Sequence, residues 1–502
     1  MMLGLMEVLN FINGEFVKIN SDEIREKFDP FTGKSIGSVS SSTVIDLVRS
    51  IQGAKSAALE IEKIPPEKRA EKLIFWTDII IRNAALWAEE EARFQGLPQE
   101  FVKNEFILNA AHWLKKSIKR DAAPAVFLRP VGVVAISIPW GSNFLLAIER
   151  IAPALLAGNA VILHLSENSS LLVKMLAELV QKADWPKGSL QILLSSRAEM
   201  VPLLAGHPGI NALSYVGHEK HREKIIKTAA PTGKRLQMSL SGKNSLIFLE
   251  QPSSPEDLLI KLRPCLLGMG QQAWNAHRIF ILESFRDNFL SQLKLALESL
   301  QPASDVHSSD LSLWPLVDHQ RVEQVKKMVA QIPLEQGKVF WGGQSISENV
   351  LSENLRQGHF VQPLFSVDLS NCSPWQQEDL RLPFFIITTV KYSHEIAKWN
   401  NTGTYGHSAI IWGPLDKART LGQKLHVGQV FINKWKINSI HEFVPQKLSR
   451  AGIHDYRWNG RFFSEQSLIF SQDPVGTLSF FNSVKKFWRE FSSHIVHNKL
   501  LL

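Results

Sequence analysis

The feature that most constrains this chain is a change of period at residue 131. Before it, residues 42–118 read as helical, with Ile45, Val48, Ile51 and Ala54 repeating at helical spacing. Ser42 or Thr43 can cap that first helix, and Pro65-Pro66 separates it from the next. After residue 131, apolar runs alternate with amphipathic segments. Val131–Ile138 reads as a buried parallel strand, Asn143–Leu156 as a helix ending at Gly158, and Ala160–Leu163 as a second strand. A further helix starts near Asn168, and Leu190–Leu194 and Leu213–Val216 continue the series. Such βαβ repetition predicts a doubly wound α/β domain.

A second α/β region is expected over residues 250–435. Helices are predicted at 254–267, 284–300, 319–331 and 415–425, and strands at 338–341, 408–412 and 429–433. Residues 11–38 look like short strands and turns punctuated by Gly14, Pro30 and Gly33. With 502 residues, the chain exceeds the roughly 300 that one core holds, so at least two domains are expected.

Composition narrows the function classes. Apolar residues make up 44% and charged residues 21%, as in a soluble globular protein. A formal charge of +8 raises nucleic acid as a partner, but the basic residues are dispersed and no nucleic-acid motif appears, so none is expected. Two cysteines, Cys265 and Cys372, leave no disulfide framework and no cysteine zinc cluster. A reducing, cytoplasmic location is expected. The start has no basic n-region, and no stretch reaches the roughly 18 uncharged apolar residues of a membrane span. His218-Glu219-Lys220-His221 lacks the spacing of a helical zinc motif, and Thr232-Gly233-Lys234-Arg235 lacks the outer residues of a phosphate loop.

Several blocks, in order, resemble the aldehyde dehydrogenase superfamily. Ile138-Pro139-Trp140-Gly141-Ser142-Asn143-Phe144, then Ile151-Ala152-Pro153 through Ala157-Gly158-Asn159, matches a Pro-Trp-Asn strand end and its helix. His164-Leu165-Ser166-Glu167 stands against Lys-Pro-Ser-Glu, and Val216-Gly217-His218 against Thr-Gly-Ser. Ser239-Leu240-Ser241-Gly242-Lys243-Asn244 stands against Glu-Leu-Gly-Gly-Lys-Ser. Gly270-Gln271-Gln272-Ala273, anchored by Arg278, matches Gly-Gln-X-Cys. Glu378-Asp379-Leu380-Arg381-Leu382-Pro383, Trp399-Asn400-Asn401-Thr402, Gly428-Gln429-Val430-Phe431-Ile432-Asn433 and, more weakly, Lys447-Leu448-Ser449 follow. The resemblance covers about residues 11–470. It implies an aldehyde dehydrogenase-like fold: a Rossmann-type cofactor domain (1–118 and 131–250), an α/β catalytic domain (251–440), and a small oligomerisation arm (119–130 and 455–472).

The family's chemistry needs a cysteine thiolate to form a thiohemiacetal, an Asn donor for the oxyanion, and a Glu base for the hydrolytic water. By the resemblance those positions hold Ala273, Gly141 and Ser239. Asn143 lies two residues beyond Gly141 and replaces the donor only through a local shift. Trp274, next to Ala273, can fill substrate space. Cys265 sits in an apolar helical stretch and reads as core, and Cys372 as an inert loop thiol. The chain is therefore expected to be a degenerate homologue acting through a nucleotide, a metabolite or a partner subunit. An oxidoreductase with altered chemistry is the alternative.

The same resemblance assigns a cofactor, NAD or NADP, to Ser137, Pro139, Trp140, His164, Ser166, Glu167, Gly217, His218, Asp379 and Arg381. It also implies a homodimer or pairing with a related subunit, through Phe462–Phe470 and the short segment Lys119–Arg129. Residues 474–502 lie beyond it. There Phe480, Val484, Phe487, Phe491 and Ile495 recur at helical spacing among Lys485, Lys486 and Arg489. This basic amphipathic pattern fits a helix packed on protein, or weak contact with an anionic membrane surface.

Overall fold

The computed structural model describes residues 6–19, 21, 23–118, 127–141, 143–195, 199–435, 445–452 and 462–467. The chain divides into two compact units, residues 1–120 with 130–464, and residues 121–129 with 465–502. Residues 119–126, 436–444, 453–461 and 468–502 lie outside the described residues, and so does the expected C-terminal amphipathic helix.

The helical N-terminal region begins with Val44–Glu62, capped by Thr43 rather than Ser42. Thr43 Oγ1 accepts from the Asp46 N–H at 3.3 Å, and the Asp46 carboxylate accepts from the Thr43 N–H at 2.8 Å. Such a reciprocal cap stabilises a helix by about 1 kcal/mol. Ser42 instead donates its hydroxyl to the Leu194 carbonyl at 2.6 Å. The buried stripe also differs from the expected one. Ile45 and Val48 are exposed, while Leu47, Ile51, Ala54, Ala57 and Ile61 face the core. A three-residue repeat slips about 60° per step, so Ile45 and Ala54 fall on opposite faces. Pro66–Gln95 follows as a long helix and ends at Gly96, whose φ of 69° only glycine takes freely. A π-helical turn, Val102–Leu108, leads into Asn109–Ile118.

The first large sheet runs, edge to edge, Arg450–Gly452, Arg235–Ser239, Ala212–Val216, Val133–Ile138, Ala160–Leu165, Leu190–Leu194, Asn10–Ile12 and Glu15–Val17. The five central strands are parallel and the flanking ones antiparallel. Every residue of Val133–Ile138, Ala160–Leu165 and Leu190–Leu194 is buried, which is why these strands read as unbroken apolar runs. Strand order reverses between Val133–Ile138 and Ala212–Val216. In open α/β sheets, ligand crevices lie at the carboxyl ends beside such a switch.

The second sheet runs Lys338–Trp341, Leu364–Val367, Phe384–Val390, Ala276–Leu282, Asn244–Phe248, Ser408–Trp412 and Gln429–Ile432. Only Lys338–Trp341 is antiparallel to its neighbour. The helices expected at 319–331 and 415–425 are His319–Gln331 and Leu415–Gly422. A short strand, Phe127–Pro130, pairs with Ser464–Ser467. No helix among the described residues is long and apolar enough to cross a membrane.

Candidate active site

Most of the candidate site residues gather at the carboxyl-end rim of the first sheet and in the segments that lead into strands of the second. Ser137, Trp140, Gly141, His164, Glu167, Gly217, His218 and Ser239 lie at or just beyond the carboxyl ends of the central strands of the first sheet. Ala273 immediately precedes the second-sheet strand Ala276–Leu282, and Asp379 and Arg381 precede Phe384–Val390. Polar contacts join the two rims: His218 Nε2 lies 3.1 Å from the Asp379 carbonyl, and Tyr405 Oη donates to Glu219 at 3.2 Å.

Ala273 occupies a fixed turn. Asn244 Nδ2 donates to the carbonyls of Ala273 at 2.9 Å and Asn275 at 3.0 Å. The Asn275 side chain in turn binds the carbonyls of Pro264 and Leu267 and the Gln272 N–H. The next ring, Trp274, packs against Phe101 (5.8 Å between centroids) and Trp435 (5.5 Å). Sequence reasoning missed these two aromatic neighbours, since both are distant in the chain.

Gly141 has φ of 84°, and a Cβ built there would sit 2.0 Å from Gln272 Oε1. The Gln272 carboxamide thus fills the space a side chain at 141 would need. Asn143 opens the helix Asn143–Leu156.

Ser239 closes the strand Arg235–Ser239 and meets a residue the sequence reading did not single out. Arg150, buried in the helix Asn143–Leu156, donates from Nη2 to Ser239 Oγ at 3.0 Å and from Nη1 to Gln237 Oε1. Burial lowers the Arg150 pKa to about 10, which still leaves it a cation at neutral pH. A basic residue in an apolar helix beside the blocks at 138–159 was the available signal.

The cofactor candidates are committed to internal partners. Ser137 Oγ and His164 Nδ1 lie 2.9 Å apart, and His164 Nε2 lies 3.2 Å from the Ser195 carbonyl. Burial pushes the His164 pKa down to about 4, so the ring is neutral at physiological pH. Ser166 Oγ lies 3.3 Å from Ser169 Oγ. Glu167 receives Arg25 Nη1 at 3.1 Å. Trp140 carries the Arg321 guanidinium 4.9 Å over its ring, while Pro139 and Trp140 stay half-buried.

Asp379 is nearly inaccessible and pairs with Arg381 Nε at 3.0 Å. Burial opposes its charge, yet the Arg381 guanidinium and nearby histidines hold its pKa below the usual carboxylate range. Arg381 has φ of 49°, a left-handed conformation that is strained for a long side chain. Its carbonyl accepts from Arg321 Nη1 at 2.9 Å, which helps pin that turn. At Gly217, a Cβ would lie 2.2 Å from Tyr215 Oη, so the Tyr215 ring occupies the space beside that glycine. As arranged here, two of the residues that the resemblance assigns to the cofactor do not fit a gripped dinucleotide: Asp379 is buried against Arg381, and both ring nitrogens of His164 are engaged.

A buried cluster of basic side chains lies around Asp379. Lys243 is buried, its Nζ has no partner among the described residues, and burial lowers its pKa to about 7. His277 and His407 are both driven to about 4 by burial. Cys265 is fully buried and its thiol pKa is raised by burial, whereas Cys372 is exposed.

Fold and site together define a two-sheet α/β protein whose candidate residues gather beside the strand-order reversal of the first sheet. The chain belongs to the aldehyde dehydrogenase family, whose model matches residues 16–469. It is 25% identical to human (Homo sapiens) 2-aminomuconic semialdehyde dehydrogenase, over 93% of this chain and 98% of that protein. It is 25% identical to betaine aldehyde dehydrogenase of Bacillus subtilis (strain 168), over 94% of this chain and 99% of the relative. Among solved structures, the NAD+ complex of an aldehyde dehydrogenase from Bacillus cereus superposes with a TM-score of 0.82 at 20% identity, covering 93% and 96% of the two chains.

Proposed function

We propose that this chain is a catalytically degenerate member of the family, one that binds a carbonyl metabolite or a partner subunit without oxidising it. The observation that carries this reading is the contact between Arg150 and Ser239. Where a base would have to stand there is a hydroxyl, and its neighbour is a buried cation that cannot take a proton. Ala273 adds a methyl group where covalent capture would need a nucleophile. Loss of such groups commonly costs several orders of magnitude in rate.

Binding need not be lost with the chemistry. A Cys-to-Ala mutant of P. syringae indole-3-acetaldehyde dehydrogenase, 23% identical and superposing with a TM-score of 0.81, is described in complex with NAD+ and IAA. We infer a similar non-covalent role here, with weak NAD and NADP binding because Arg25, Arg381 and Ser195 already hold the candidate contacts. A homodimer, or pairing with a related active subunit, completes the proposal.

The test is calorimetry with NAD and NADP on the purified chain, with turnover of an aldehyde panel followed in the same buffer. Dissociation constants weaker than about 1 mM and no turnover are expected. Cofactor-dependent turnover that survives replacement of both cysteines would overturn the reading.

A further inference from the structure

Helix Val44–Glu62 carries apolar side chains on the side away from its core. Leu47, Ile51, Ala54, Ala57 and Ile61 already seat it on the first sheet, so the fold needs none opposite them. Yet Ile45 is 80% exposed, Leu59 64% and Val48 40%. At about 100° per residue these three fall within about 60° of one another, and they spread along about 21 Å of helix. Arg49, Lys55 and the C-cap Lys63 are exposed on the same side, within a sector of about 120°. The exposed acids Glu60 and Glu62 fall outside that sector, one at each margin. At the amino-terminal end, Val44, Ile45 and Val48 line a shallow hollow of about 280 Å³ with Arg49 and Gln52.

The basic surface continues past the helix. The turn at Gly209 packs against it: a Cβ built there would lie 2.9 Å from Ile51 Cγ2 and 3.0 Å from Lys55 Cε. Beside that turn, Lys234 Nζ donates to the carbonyls of Leu204 at 3.2 Å and His207 at 2.8 Å. Burial, then Lys234 and Lys55, hold the His207 pKa below its ordinary value, which places both cations near that ring.

An exposed leucine standing alone needs no partner. An apolar row between cations, with no acid among them, describes one. Protein interfaces favour aromatic side chains and are poor in lysine. This row has no aromatic, and two of its three cations are lysines. Helices that lie on membranes bear a different signature: apolar side chains reach the acyl boundary, and Lys or Arg beside them meets anionic headgroups.

We propose that the outward face of helix Val44–Glu62 rests on an anionic lipid surface, with Ile45, Val48 and Leu59 entering the acyl boundary and Arg49, Lys55 and Lys63 meeting the headgroups. The contact is peripheral and reversible, and it is independent of the binding role proposed above.

The experiment sediments the full chain with vesicles of phosphatidylcholine, with and without phosphatidylserine. The chain partitions onto the anionic vesicles and not onto the neutral ones, and added salt releases it. Ile45→Gln with Leu59→Gln, and separately Arg49→Gln with Lys55→Gln, each weaken partition about tenfold. All four side chains are exposed, so thermal melting stays unchanged. The control is Ile81→Gln with Leu86→Gln on the helix Pro66–Gln95, where both side chains are 55% exposed; it leaves partition unaltered. Absence of partition overturns the proposal, as does equal partition onto neutral vesicles. Full partition in either helix variant, or an equal loss in the control, places the lipid contact elsewhere in the chain and overturns it as well. Self-association of the unaltered chain that Ile45→Gln with Leu59→Gln abolishes, without vesicle binding, assigns the face to a second copy and has the same force.

Discussion

Arg150 Nη2 and Ser239 Oγ meet at 3.0 Å at the end of a first-sheet strand, so a helix-borne cation ends at the position our proposal assigns to the family's general base. The pair is structural as well as telling. Arg150 is buried and shares its remaining contact with Gln237, so Ser239→Ala removes one of its few acceptors. The expected loss is about 1–3 kcal/mol in urea unfolding, since the orphaned donor is charged. Ser239→Glu should form an ion pair with Arg150 and still give no aldehyde oxidation. Turnover in that single variant would show that a base was the only missing part.

The buried histidines set the acid limit of the fold. His164, His277 and His407 titrate near 4 in the folded chain, because burial disfavours the imidazolium, and near 6.5 when unfolded. Between those values the unfolded chain binds more protons, so stability present above about pH 6.5 is lost as pH falls toward 4. A shift of that size amounts to about 3 kcal/mol per group. Glu91, raised to about 7 by burial, works in the opposite direction because its folded form is protonated first. Three histidines outweigh one glutamate, so unfolding free energy measured from pH 7 to pH 4 should fall. His164→Asn should flatten that slope.

Thiol chemistry separates the two cysteines. Native protein should react with one equivalent of a thiol reagent, at exposed Cys372, and denatured protein with two. Cys372→Ser should abolish native labelling. Rapid native labelling of Cys265 would contradict its complete burial and raised thiol pKa.

Gly141 and Gln272 should couple strongly. Gly141→Ala pushes a methyl into the Gln272 carboxamide and should cost about 1–3 kcal/mol. Adding Gln272→Ala removes the obstacle, so the double variant should be more stable than the sum of the two single effects. A thermodynamic cycle of the four proteins measures this, and simple additivity would mean that the side chain moves aside at no cost.

Much of the first sheet is legible because its strands are buried on both faces: the apolar run Val131–Ile138 contains the strand Val133–Ile138, and Leu190–Leu194 forms with the bounds expected of it. Ala276–Leu282 and Phe384–Val390 are not among the strands the sequence predicts, since each follows directly on a motif block rather than a turn signal. The candidate positions were legible as an ordered set of motifs. Their partners were not. Arg25 reaches Glu167 across 142 positions, and Arg150 reaches Ser239 across 89. No periodicity encodes such encounters. The resemblance supplied positions without contacts, and His164 is the plainest case: placed at the cofactor rim by its motif, it is turned inward between Ser137 and Ser195.

The backbone ladders of both sheets are complete before the candidate site begins: Ala212–Val216 and Arg235–Ser239 pair through Ser239, and Asn244–Phe248 pairs with Ala276–Leu282 past Ala273. Replacing a side chain at those ends therefore leaves the backbone pairing of the frame in place. Under the function proposed above, ancestry and activity are uncoupled: such a chain can retire its reaction one side chain at a time and keep the same scaffold for a different task.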